Sequence, residues 1–252
     1  MLVAFPLPAI DGINPDDEMV VLPDAGNANF VDFAVTVDGK PVSPALYQRV
    51  SALGIDRTSE LSDRHLPLNP LVDGLSDTLR ALPADQLDRL GLLGMVEINP
   101  DYVQANWRYE AIFTWEQTFP PGQEVVVEHT YKPVAAYGLF GAGSLDEQWY
   151  KDNNCIDAAF ARAAAKLLKT VADSDNPYLD EERISYILTT ATNWSGPIGR
   201  FKLTVDKAEP DALVSFCAKG VRKSGPTTYE FTAEDYSPDR ELQVLIVKRH
   251  TP

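Results

Sequence analysis

Histidine, cysteine and methionine are scarce: three, two and three of them in 252 residues. Two cysteines exclude a small scaffold held together by several bridges in place of a core. The histidines (His65, His129 and His250) are scattered singly, whereas structural zinc takes four Cys or His ligands at short spacing. No His-Glu-x-x-His helix and no Gly-x-Ser-x-Gly elbow occurs, and Gly141-Ala142-Gly143-Ser144 lacks the Lys-Ser/Thr of a phosphate loop. Cations are short as well: 22 Lys+Arg stand against 37 Asp+Glu, a net charge of −15. Such a balance disfavours nucleic acid and anionic lipid surfaces, both of which attract clustered cations. No apolar run approaches the roughly 20 residues that span a bilayer, and no transmembrane segment is expected. There is no convincing repeat and no low-complexity tract. No cofactor-binding pattern is present, and none is expected.

What is present is alternation. Trp107, Tyr109, Ala111, Phe113, Trp115 and Phe119 fall on one face of a run whose other face carries Arg108, Glu110, Thr114 and Glu116, the pattern of a half-buried strand. Pro120-Pro121-Gly122 follows, then Val125, Val127, His129 and Tyr131 alternate again, so the two runs are expected to pair as an antiparallel hairpin. Val31, Phe33, Val35 and Val37 mark an earlier strand that stops at the turn dipeptide Asp38-Gly39. Leu2 to Leu7 reads as a strand ended by Pro6 and Pro8. Later strands are expected at 184–192, 201–205, 213–216, 228–232 and 242–247, with Trp194-Ser195-Gly196-Pro197 as a turn.

Helical spacing appears in two places. Leu75, Leu79, Leu82, Leu87, Leu90 and Leu93 recur within residues 56–93, a stretch cut by Pro67, Pro70 and Pro83, with Asp56 or Thr58 as its first cap. A longer helix is expected over about residues 155–171, capped by Asp152, Asn153 or Asn154. Its apolar stripe is Ile156, Ala159, Phe160, Ala163 and Leu167. The fold class is therefore mainly β (β-rich α+β): an antiparallel sandwich-like architecture with a small helical insertion and one longer helix. The Gly-rich stretch 137–144 is the best boundary. It separates residues 1–137, an N-terminal sandwich-like part with the insertion 56–93, from residues 138–252, the helix and a C-terminal sandwich-like part.

Several segments, in order along the chain, resemble a bacterial family known only as a domain of unknown function, DUF4424. They are Val3-Ala4-Phe5-Pro6-Leu7-Pro8, Phe33 to Val42, Pro67-Leu68-Asn69-Pro70-Leu71, Trp115 to Pro120, Val127 to Pro133, Asn193 to Ile198, Ser215-Phe216-Cys217 and Ser237-Pro238-Asp239-Arg240. The resemblance implies a periplasmic or secreted protein made with a signal peptide, and implies no activity and no catalytic residue. A weaker likeness, of the Phe-Pro-Leu-Pro strand followed by a Val-Asp-Gly strand, is to the β-sandwich of vault/inter-α-trypsin-type domains. The chain starts in the middle of the Phe-Pro-Leu-Pro strand, and its first residues include no basic leader. The upstream sequence is therefore expected to encode an in-frame leader and a strand.

The candidate sites are few. Cys155 and Cys217 admit three readings: a disulfide, two inert buried thiols, or a Cys155 nucleophile near a helix N-terminus with His129 as its base. In an exported protein an even number of cysteines pairs, which favours the disulfide. His129 itself reads as a hydrogen-bonded core histidine. Asp173, Asp175 and Asp180, with Asn176 and Glu181, form the least implausible calcium set, but without the glycine and terminal Glu of an EF-hand they read first as a solvated acidic loop. Asp16, Asp17 and Glu18 read the same way. Glu110 and Glu116 could serve a glycosidase only at a separation of about 5–9 Å. The function expected is that of an exported, non-catalytic binding or interaction module with a protein or glycan partner in the envelope or outside the cell. The alternative is an extracellular or envelope hydrolase with a non-standard Cys or carboxylate site.

Overall fold

The computed structural model describes residues 1–13, 19–172, 177–188 and 196–250. Strands dominate, all the pairings are antiparallel, and the chain divides into two compact units: Met1–Asp17 with Leu22–Val134, and Glu18–Val21 with Ala135–Pro252.

In the first unit β1 (Leu2–Pro6), β2 (Ile10–Asp11), β6 (Ala45–Ala52), β7 (Ile55–Asp56) and β10 (Arg108–Glu116) make one sheet. Its order is β1-β10-β6-β7, with β2 also on β10. The alternation of β10 is realised: Tyr109, Ala111, Phe113 and Trp115 are all buried. A second sheet holds β4 (Ala34–Val37), β5 (Lys40–Val42) and β11 (Val127–Thr130) in the order β11-β4-β5. Asp38 and Gly39 both take positive φ, 48° and 73°. Two such residues make the turn that suits a right-twisted hairpin, and here they join β4 to β5. Rings from both sheets meet in the core: Phe33 stacks on Phe5 and on Phe113, each at 4.6 Å.

The expected 107–131 hairpin does not form. β11 pairs with β4, His129 opposite Val35, and not with β10. The two alternating runs have the right pattern but belong to different sheets, because a Pro-Pro-Gly link between strands specifies a turn and not which edge the second strand joins.

The 56–93 insertion contains α1 (Thr58–Ser62), α2 (Leu75–Arg80) and α3 (Ala84–Leu92), and the ribbon β8 (Val96–Ile98) with β9 (Val103–Ala105) follows. Leu61, Leu75, Leu79 and Leu90 supply its buried face. Asp56 accepts from the Thr58 N–H at 2.9 Å, while the Thr58 hydroxyl accepts from Val50 N–H on β6 and so ties α1 to the sheet. Glu60 on α1 joins Arg64 at 3.0 Å and Arg89 on α3 at 2.6 Å.

In the second unit the larger sheet runs β15-β18-β13-β12-β3 and the smaller runs β14-β17-β16. These are β3 (Met19–Val21), β12 (Ala135–Phe140), β13 (Leu179–Tyr186), β14 (Ile198–Asp206), β15 (Leu213–Phe216), β16 (Arg222–Lys223), β17 (Thr228–Tyr236) and β18 (Leu242–Lys248). Period two divides β18 between two cores. Leu242, Val244 and Ile246 pack with Val205, Phe216 and Phe231 towards the smaller sheet. Leu245 and Val247 pack with Phe140, Tyr150, Phe160 and Ala164 towards α4 (Gln148–Asn153) and α5 (Ala158–Leu168). A sandwich with helices on its outer face results.

The longer helix is shorter than the expected span. Cys155 takes a positive φ of 48°, a conformation that interrupts helix, so residues 148–153 form α4 and α5 begins only at Ala158. Its cap is Asp157, whose carboxylate accepts from the Phe160 N–H at 2.7 Å. Ala159 is exposed, and Ala164, four residues after Phe160 on the same face, takes a place in the core instead.

Candidate functional site

β15 is an edge strand of the larger sheet, and β16 is an edge strand of the smaller one. Where those edges lie together the sandwich opens into a cleft of about 1010 Å³. Alternation in β15 explains its inner wall. Val214 and Phe216 face the smaller sheet, while Ser215 points the other way and donates to the carbonyls of Asn154 at 2.8 Å and Cys155 at 3.0 Å. Cys217, two residues after Ser215, is bonded to Cys155, with sulfurs 1.99 Å and Cα atoms 5.2 Å apart. The bridge and the Ser215 hydroxyl thus clamp the 154–155 bend to β15.

The opposite wall is aromatic. Tyr229 and Phe231 on β17 face inward by alternation. Tyr236, five residues beyond Phe231, would face outward in a regular strand, but Asp235 takes a positive φ of 48°. Tyr236 accordingly joins the rings, stacking on Phe201 at 4.5 Å and lying edge-on to Phe231 at 6.0 Å. Burial, and secondly the Asp239 carboxylate, hold the Tyr236 phenol above its ordinary pKa, so it stays protonated at neutral pH. Gly220, at φ +82°, lets the loop from β15 to β16 turn past the rim.

The rim is polar and carries three cations. Lys223 lies over the Tyr229 ring at 6.0 Å, Arg240 donates towards Cys217 Sγ at 3.7 Å, and Lys219 is exposed. Two carboxylates accompany them. Asp157 is engaged by its capping bond, and Asp239 lies 3.8 Å from Arg240. The cleft thus combines an apolar floor with a polar, cation-bearing rim. A smaller hollow of about 240 Å³ in the first unit, beside Gly12, Leu53 and Trp107, carries no comparable set.

The residues singled out in the sequence fare differently. Cys155 and Cys217 come together as the disulfide, so the Cys155 nucleophile is overturned: its sulfur has no thiol to ionise. His129 is not a hydrogen-bonded core residue. It is exposed, with its ring against Phe5 at 4.8 Å and Tyr131 at 6.1 Å, and desolvation on that side holds its pKa below the ordinary histidine value. Glu110 and Glu116 lie on one strand six residues apart, which at roughly 3.3 Å per residue is about 20 Å, too far for a glycosidase pair. Glu110 instead faces Arg49 at 3.8 Å. Asp173, Asp175 and Asn176, like Asp16, Asp17, Glu18, Trp194 and Ser195, lie outside the described residues. Asp180 is described, and its carboxylate meets His250 Nδ1 at 3.1 Å. Among the described residues no cluster of three or more His, Cys, Asp or Glu could hold a metal ion.

Lys219, Lys223, Tyr229 and Tyr236 line the cleft and follow no motif, and periodicity could place strands there but not gather these side chains. The one signal was indirect. Ser215-Phe216-Cys217 and Ser237-Pro238-Asp239-Arg240, two segments that carry the family resemblance, both contribute to the lining. Among the described residues no helix is long and apolar enough to cross a membrane. No curated protein and no solved structure matches the chain. The profile of the family described as Domain of unknown function (DUF4424) matches residues 1–245, nearly the whole chain, and to that family this protein belongs.

Proposed function

We propose that this protein is an exported binding module, periplasmic or secreted, and that the β15/β16 edge cleft is its ligand seat. The observation that carries the binding reading is the cleft itself. At about 1010 Å³ it reaches the upper end of the range typical of small-molecule sites, roughly 300–1,000 Å³, and it combines an aromatic wall with a few polar groups at the rim. The intrachain disulfide supports the export reading, because such bonds persist in oxidising compartments. A protein or glycan partner, the sequence expectation, would engage the same opening through a side chain or sugar ring small enough to enter it.

The test uses the dye anilinonaphthalene sulfonate, which fluoresces on entering apolar sites. Wild type should bind it saturably, and Ala218→Trp or Val221→Trp, which fill the cleft from its lining, should each abolish most of the signal at unchanged unfolding temperature. Absence of saturable binding, or binding untouched in both variants, overturns the reading. Purified protein should also turn over no ester, peptide or glycoside substrate. Turnover that survives purification and vanishes in Asp239→Asn would establish the hydrolase instead.

A further inference from the structure

Resting on that reading, we infer that the cleft selects an amphiphile with an anionic headgroup, a carboxylate or phosphate ester on an apolar body, and that Lys219, Lys223 and Arg240 receive the headgroup.

The charge arrangement carries this. In a chain with a net charge of −15, a group of three cations on one rim is a local inversion of sign. Neither Lys219 nor Lys223 forms an ion pair among the described residues. Elsewhere in the same unit Lys202, Arg222 and Lys248 all face carboxylates, Glu230 for the first two and Glu209 for the third. The rim acids do not cancel the inversion. Two carboxylates stand against three cations: Asp157 is turned to the Phe160 N–H, and Asp239 sits beside Arg240. Arg240 also reaches the bridge, its Nη1 lying 3.7 Å from Cys217 Sγ. A planar guanidinium and two lysine ammonium groups on one rim suit a carboxylate or phosphate, which accepts several donors at once. Immediately below them lie Phe216, Tyr229, Phe231 and Tyr236, an apolar floor for the remainder of the ligand. A purely apolar molecule would leave the cations unused, and a cationic one would be repelled.

The experiment measures calorimetric affinities of the full chain for octanoate, octyl phosphate, octanol and octylammonium. Either anion should bind about tenfold more tightly than octanol, and octylammonium should bind most weakly. The ratio between octanoate and octyl phosphate identifies the preferred headgroup. The triple variant Lys219→Gln/Lys223→Gln/Arg240→Gln should lose the anion preference and keep octanol affinity. The matched variant Lys151→Gln/Lys166→Gln/Lys169→Gln, equal in charge change, should retain the preference. Octanol binding as tightly as octanoate, or both triple variants losing the preference alike, overturns anion selection and leaves the binding module standing. Failure of all four compounds to bind overturns both.

Discussion

At the scale of the residue, single side chains decide where elements start and how they dock. Asp157 is an example: one carboxylate oxygen satisfies an otherwise orphaned N–H at the start of α5 and sets its first turn two residues after the disulfide. Replacing it by Ala should cost about 1 kcal/mol of stability, read from the midpoint of urea unfolding, while Asn should recover most of the loss. Glu60 gives a pH signature. Its carboxyl is held below the ordinary glutamate range, first by the hydrogen bond from Arg89, against some desolvation, and then by the charges of Arg89 and Arg64. Because its folded pKa is depressed, its contribution is fully present above the unfolded value, about 4.3, and is lost as pH falls through the folded one. Arg89→Met should therefore lower the unfolding midpoint at neutral pH, with the gap to wild type narrowing as pH drops below about 4.3. A gap that stayed constant down to acid pH would show that Arg89 acts through packing alone. Cys155 shows what residue-level reading misses. It could be placed near a helix end, but its positive φ, at the start of the expected span, delays the helix to Ala158, and the bridge and the Ser215 clamp on the carbonyls of 154 and 155 hold that bend.

Among the elements, strand existence was legible and strand partnership was not. The runs at 213–216 and 242–247 are strands, as is 108–116 of the expected 107–119, because burial on one face writes period two into the sequence; beyond Glu116 the pattern fails and Phe119 is exposed. The partner of β11 was misread, since alternation is the same whichever sheet receives the strand. The disulfide belongs to this scale too, because it joins two elements across a sequence separation of 62 residues. In the chain-entropy account a closed loop of that size stabilises by about 4 kcal/mol. Cys155→Ser/Cys217→Ser should lose stability of that order in equilibrium denaturation and should also loosen the wall of the cleft. The reduced wild type should match the double variant, and agreement between the two separates loss of the bond from any effect of the new hydroxyls. A change well below 1 kcal/mol would mean that the Ser215 hydrogen bonds suffice to hold the bend.

For the whole molecule, charge is the property that no single element owns. Composition alone established a net charge of −15, and the structure shows how part of it is handled: Glu60 takes two arginines and Glu230 takes Lys202 and Arg222. Composition could not show that three of the few cations gather on one rim, because the residues concerned come from the β15–β16 loop, from β16 and from the β17–β18 loop and share no spacing. Two opposite consequences for ionic strength follow. A chain with a large charge of one sign repels itself when compact, and raising salt from about 0.01 M to 0.15 M shortens the screening length from about 30 Å to about 8 Å. The unfolding temperature should consequently rise across that range when measured by calorimetry at neutral pH in sodium chloride. Affinity for an octanoate anion at the cationic rim should fall over the same range, since salt screens the attraction that draws it there, while octanol affinity should change little. Stability and anion affinity moving together with salt would mean that one global charge effect governs both, and the rim would then have no electrostatic character separate from the rest of the surface.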